Sequence, residues 1–230
     1  MKRQLEGELL EWKGHKNRKP LILKGARQVG KTYLVEAFGK THFQNLVTVN
    51  FERQPSLCQI FSGTLAAGEV IQKLEAVLGT RIEPPHTLLF FDEIQRCPIA
   101  ITALRYLYEE RPELAVIAAG SLLDFALEKI SVPVGRVTYL YLHPLSFREF
   151  LLALGEEPLI SYLDNHGNEP VAAPIHDKLI TLVKKYALVG GMPEAVNTYL
   201  TTQSFPEVGR VHLDLIESFR TELKKLIDDG

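Results

Sequence analysis

The segment Gly25-Ala26-Arg27-Gln28-Val29-Gly30-Lys31-Thr32 constrains this chain more than any other, because it matches G-x-x-x-x-G-K-[ST] at every defined position. It follows Leu21 to Lys24, which reads as a buried strand, and it opens Thr32 to Phe38, which reads as a helix. That strand, loop and helix context is what the match requires. Gly25 and Gly30 let the backbone wrap closely around a phosphate, since no Cβ intrudes. Backbone N–H groups then point inward, and the following helix offers its positive end. Lys31 is expected to reach the β- and γ-phosphates and the Thr32 hydroxyl to ligate Mg²⁺. With Tyr33 next to them, these residues form the expected nucleotide-binding set, 25–33. The competing reading is an ordinary glycine-rich turn between strand and helix.

A second feature sits one βα unit further on. Leu88-Leu89-Phe90-Phe91-Asp92-Glu93 is an apolar strand ending in two carboxylates. A strand end beside a phosphate loop would place Asp92 near the metal, directly or through water. Glu93 points differently and can polarise an attacking water as a general base. The plain alternative is a strand that ends in solvated acids. No N-K-x-D base-reading motif accompanies the loop, which argues against a GTPase.

The rest of the chain alternates between the two periodicities. Strands are expected at Leu46 to Phe51, Thr87 to Phe91, Leu114 to Ala119 and Val137 to Leu142. Helices are expected at Ala66 to Leu78 and Pro98 to Glu109, and an amphipathic one runs through Leu5, Leu9, Leu10 and Trp12. Alternation of this kind implies βαβ crossovers and a mainly parallel sheet. After about residue 145 the strand signals stop. Ser146 to Leu154, Ile175 to Val189, Glu194 to Tyr199 and Glu207 to Ile227 favour helix, and Glu156 to Pro174, rich in turn residues, reads as a linker or long loop. The expected division is an α/β core over 1–145 and a smaller helical lid over 146–230.

Composition narrows the function classes. The chain has 230 residues, 46% of them apolar and 23% charged, which excludes disorder over its whole length. The formal charge of −2 excludes a strongly basic nucleic-acid module but leaves local basic patches open. Lys13 to Lys19 forms one such loop, read as solvated, as a nucleic-acid contact or as a rim of the adenine pocket. The longest apolar run, Leu114 to Ala119, is far short of a membrane span. Cys58 and Cys97 lack metal-ligand spacing and read as two ordinary thiols in a reducing, cytoplasmic setting.

Three further positions have a chemical and a structural reading. Ser121, at the tip of the fourth strand, can touch a γ-phosphate or the attacking water; it equally suits the N-cap of a helix over Leu122 to Ile130. Arg136 can serve a neighbour's nucleotide as an arginine finger, or be an ordinary salt-bridged arginine. Ser146-Phe147-Arg148-Glu149 fits a capping box. Gly190-Gly191-Met192-Pro193 reads as a joint between helices, and a nucleotide contact is the lesser reading.

Residues 25–32, Phe90-Phe91-Asp92-Glu93-Ile94-Gln95, Ala119 to Leu123, Val134 to Val137, Leu142 to Leu151 and Gly190 to Glu194 together resemble the bacterial and archaeal AAA-type ATPases that carry GxRQVGKT. The resemblance spans most of the chain. It implies a phosphate-loop core with strand order 5-1-4-3-2 and a helical lid after it, with ATP and Mg²⁺ as cofactors. It gives Lys31, Thr32, Asp92 and Glu93 their usual roles and makes Ser121 the expected sensor, with Arg136 at a family Gly-Arg position. Such proteins usually continue into a nuclease-like C-terminal domain. The expectation is that this chain stops short of one, with the apolar stripe Ile216, Phe219, Leu223, Leu226 and Ile227 on its last helix awaiting a partner surface. The leading reading is an ATPase producing ADP and phosphate, with no membrane and with homo-oligomerisation, DNA or a protein as candidate partners. The others are a nucleotide-gated DNA- or protein-binding module with little hydrolysis and, more weakly, phosphoryl transfer to a small molecule.

Overall fold

A computed structural model describes residues 1–121, 135–167 and 169–228, with the side chains of 222 and 225–228 outside the description. The chain forms two compact units. One joins Leu5–Ala26 to Gly30–Leu142; the other joins Met1–Gln4, Arg27–Val29 and His143–Gly230.

The first unit is built on five strands: β1 (Leu21–Lys24), β2 (Asn45–Asn50), β3 (Thr87–Asp92), β4 (Ala115–Gly120) and β5 (Thr138–Tyr141). Every pairing is parallel, and the spatial order is β2-β3-β4-β1-β5, which is the expected 5-1-4-3-2 read from the other edge. Among the described residues four helices accompany the strands: α1 (Leu5–Gly14), α2 (Lys31–His42), α3 (Ala67–Leu78) and α4 (Pro98–Glu110). Two 3-10 segments, Pro55–Phe61 and Ile94–Arg96, add turns for which the sequence offered no periodicity.

Strand alternation explains why β1, β3 and β4 are buried at every position. Ile22, Val47, Val49, Leu89, Phe91, Val116 and Ala118 point into one core with residues of α3, α4 and the first 3-10 segment. The opposite parity, Leu46 and Leu88, closes on α2 so tightly that a Cβ on Gly39 would lie 2.8 Å from Leu46 Cδ1. Each such side chain taken fully out of water contributes about 1.5–3 kcal/mol, so a continuously apolar strand is stable only between two layers. All five strands being parallel, their carboxyl ends lie along one edge of the sheet, where α/β folds carry their sites.

The same core overturns the reading of two ordinary thiols. Cys58, in the first 3-10 segment, and Cys97, at the start of α4, form a disulfide with Cα atoms 5.6 Å apart. The two lie 39 positions apart, and only the packing of the 3-10 segment on α4 brings them together.

The second unit is helical: α5 (Phe147–Ala153), α6 (Glu157–His166), α7 (Ala173–Val189), α8 (Pro193–Thr202) and α9 (Phe205–Asp228). The capping box is present: Ser146 Oγ accepts from Glu149 N–H, and Glu149 accepts from Ser146 N–H. Phe150 and Leu151, consecutive on α5, serve two separate clusters, the first with Val189, Val196 and Tyr199, the second with Leu159, Ile160 and Leu182. The linker expected over Glu156 to Pro174 is corrected by α6. Pro158 sits in its first turn, and Leu159, Ile160 and Leu163 are anchored on α5 and α7. Of the turn residues that suggested a linker, Pro158, Asp164 and Asn165 lie within α6 and Pro174 within α7, which leaves Gly167 and Pro170 between the two helices. No described helix is long and apolar enough to cross a membrane.

Candidate functional site

The loop after β1 is already shaped as a cradle. Gly30 caps α2 with φ 95°, a left-handed value that a side chain would oppose, and Gln28 takes φ 61° despite carrying one. Lys31, 7% exposed, donates from Nζ to the carbonyls of Gly25 at 2.9 Å and Ala26 at 2.8 Å. Its charge is thus kept at the loop by the loop's own carbonyls. Val29 is fully buried, whereas Tyr33 is 66% exposed on α2 and Ala26 faces solvent. Of the expected set, Tyr33 therefore makes no enclosed surface within its unit.

The acids end β3 at the same sheet edge. Thr32 Oγ1 lies 3.1 Å from both carboxylate oxygens of Asp92, to which it donates. Asn50 donates from Nδ2 to Asp92 Oδ2 at 2.8 Å, while its Oδ1 accepts from Glu52 N–H and Arg53 N–H. Burial, and then the neighbouring Glu93 charge, push the Asp92 carboxyl above its ordinary value; the hydrogen bonds from Thr32, Glu93 N–H and Asn50 only partly offset them. A buried carboxylate so placed gains from a cation beside it. Hydroxyl and carboxylate oxygens are the donors Mg²⁺ prefers, so Thr32 and Asp92 fit the implied metal. Among the described residues no group of three His, Cys, Asp or Glu side chains could hold a metal ion.

Glu93 stands at φ 52°, ψ 44°, where β3 turns into the second 3-10 segment. Gln95 donates to Glu93 Oε2 at 2.5 Å, and the Gln95 Oε1 atom is buried without a partner. Ser121 is 3% exposed, one residue past the strand position that registers with Lys24 at the start of the loop. The helix over Leu122 to Ile130 that it was expected to cap lies outside the described residues, as does Val134. Arg136 donates to Glu109 Oε1 at 2.8 Å on its own chain, and its side chain is 48% exposed. The Lys13 to Lys19 loop is tied down in part: Lys13 donates to the His42 carbonyl and Arg18 to those of Lys13 and Glu113.

Two residues escaped the sequence reading. Asn50 reaches Asp92 because β2 and β3 register Asn50 opposite Asp92, a pairing no motif encodes. Gln95 carried a weaker signal, two positions beyond Glu93.

A parallel sheet of this order, with a phosphate loop after β1 and acids after β3, defines an α/β phosphate-loop nucleotide-binding fold. The family model for the AAA domain matches residues 17–151, more than half of the chain. The chain belongs to the AAA domain family. Among solved structures it is similar to C. elegans PCH-2, at 16% identity and a TM-score of 0.43 over 93% of this chain and 66% of that one. It is also similar to a chain in the structure of Drosophila ORC bound to DNA, at 18% identity and a TM-score of 0.47 over 92% and 66%. The chain thus spans just under two thirds of the length of these solved chains. No curated protein matches it.

Proposed function

We propose that this chain is a Mg²⁺-dependent ATPase that converts ATP to ADP and phosphate. The observation that carries the reading is the convergence of Lys31, Thr32, Asp92 and Glu93 at the carboxyl edge of one sheet, with Thr32 Oγ1 and Asp92 3.1 Å apart. The backbone amides of residues 25–32 and the Lys31 ammonium would bind the β- and γ-phosphates. Thr32 and Asp92 would hold the metal, which when bound draws charge from the phosphate oxygens. Glu93 orients a water and takes its proton as the water oxygen bonds to the γ-phosphorus. The bond from that phosphorus to the bridging oxygen breaks, and ADP leaves with the electron pair. Ser121 would sense the γ-phosphate. The helical region from about residue 146 would act as the lid, passing the nucleotide state to a further domain or partner.

The test is ADP release by the wild type and Glu93→Gln, with nucleotide binding measured alongside. Turnover should fall about 10²- to 10⁴-fold, the usual worth of a positioned base, while ATP still binds. An unchanged rate removes hydrolysis at this site. The contact between Gln95 and Glu93 favours a second reading, because it occupies one of the two carboxylate oxygens that could take a water's proton. In that reading the chain grips DNA or a protein in one nucleotide state and hardly hydrolyses, and turnover with and without DNA separates the two. A cytoplasmic setting belongs to the proposal. The Cys58–Cys97 disulfide stands against it, since such bonds are rare in reducing compartments. Mass analysis after rapid thiol blocking in cells decides that point.

A further inference from the structure

Arg3 lies far from every motif in sequence, and its side chain is only 7% exposed. Three different nitrogens of its guanidinium each have a partner. Nε donates to Glu149 Oε1 at 3.0 Å, Nη1 donates to the Val29 carbonyl at 3.0 Å, and Nη2 donates to the His143 carbonyl. Glu149 is 6% exposed and also accepts from the backbone N–H groups of Gln4 and Ser146, each at 2.8 Å. Burial by itself would raise the Glu149 carboxyl. Those two N–H groups and the Arg3 guanidinium outweigh it and keep the group below its ordinary value, so the Glu149 carboxylate is ionised at neutral pH.

Val29 is the tip of the phosphate loop, and residues Arg27–Val29 belong to the same compact unit as Arg3 and α5. We propose that Arg3, clamped by Glu149, is a positioning residue for nucleotide binding: it pins the Val29 carbonyl and thereby keeps the backbone amides of the loop tip aimed at the phosphates. The inference rests on the proposed nucleotide site and adds to it a residue outside every recognised motif. Its physical basis is the loop's conformation. Gln28, just before Val29, has a positive φ that a residue with a side chain holds only when its surroundings over-determine it. A buried Val29 side chain and a carbonyl pinned by a charged donor supply that constraint. The same guanidinium closes onto the capping box at the start of α5. A displacement of the tip by bound phosphate would therefore be felt first at Arg3 and, through it, at Glu149.

The guanidinium geometry suggests the substitutions. Lysine keeps the charge beside Glu149 but brings one nitrogen instead of a planar fork, so it cannot serve all three acceptors. Arg3→Lys and Arg3→Ala are compared with Tyr186→Phe, which removes a 2.6 Å hydrogen bond to the Leu145 carbonyl in the same unit without touching the loop. ADP affinity is measured by equilibrium titration, melting by calorimetry and ATP turnover at saturation. The expected result is an ADP dissociation constant raised about 10- to 100-fold in both Arg3 variants, the scale on which loss of an outer positioning contact shows. Their kcat should stay near the wild-type value, and Tyr186→Phe should melt lower with unchanged affinity. If Arg3→Ala does not fold, Arg3→Lys carries the comparison. Arg3→Lys binding ADP as tightly as the wild type, or no more weakly than Tyr186→Phe, overturns the proposal while leaving the nucleotide site standing. Wild-type protein that binds ADP no better than Lys31→Ala removes the nucleotide site itself, and the role of Arg3 with it.

Discussion

At Asp92, two demands oppose each other. The carboxylate is buried beside Glu93, which raises its proton affinity in the folded chain, yet the proposed chemistry needs it ionised. The unfolded group titrates near its ordinary value of about 3.9. A folded-state value above this means the native state binds the proton more tightly, so stability is lost as pH rises from there through the folded value. Above the folded value the whole penalty is present. Asp92→Asn should therefore raise the melting temperature of the nucleotide-free chain, by about 2–4 °C per kcal/mol of penalty relieved, while abolishing Mg²⁺-dependent binding of ATP. A lower melting temperature would show that the bonds from Thr32 and Asn50 outweigh the burial. Gly191 presents the opposite case, a residue chosen for space. A Cβ there would lie 2.3 Å from the Leu145 carbonyl oxygen, and Leu145 N–H donates to the Gly191 carbonyl at 2.7 Å. Gly191→Ala must push the two backbones apart, and we expect a loss of about 1–3 kcal/mol by chemical denaturation. The glycine pair was legible as a joint between helices, but the backbone approach that requires Gly191 was not.

Among elements, legibility followed periodicity. β1, β3 and β4 were recognisable because burial on both faces leaves an uninterrupted apolar run. α6 was hidden because its apolar positions span barely two turns beside a stretch rich in turn residues. The 3-10 segment Pro55–Phe61 was hidden for a related reason, since seven residues of tight helix carry no readable stripe. That segment is where the disulfide begins. Closing a loop of 39 positions removes denatured-state entropy worth about 4 kcal/mol in the chain-entropy account. Reduction, or Cys58→Ser with Cys97→Ser, should lower stability by up to that amount. An equal melting temperature with and without reductant would mean that the packing of the 3-10 segment on α4 alone supplies the constraint.

For the molecule as a whole, one question is whether a single chain completes the site. Arg136 is tied to Glu109 of its own chain through an exposed ion pair, the kind that competes weakly with any stronger partner. If it serves a neighbour's nucleotide, ATPase activity per chain should rise with protein concentration, and Arg136→Ala should flatten that rise without altering ATP binding. A specific activity independent of concentration in the wild type would assign Arg136 to its own surface. The parallel α/β core was readable from the chain alone, because apolar runs and the turns between them are local signals, and the strand order came with the family resemblance. That Asn50 faces Asp92, that Cys58 meets Cys97 and that Arg3 grips Val29 and Glu149 emerges only in the packed fold. Those contacts join residues 26 to 146 positions apart, and no local pattern encodes a pairing that exists only once the layers have packed.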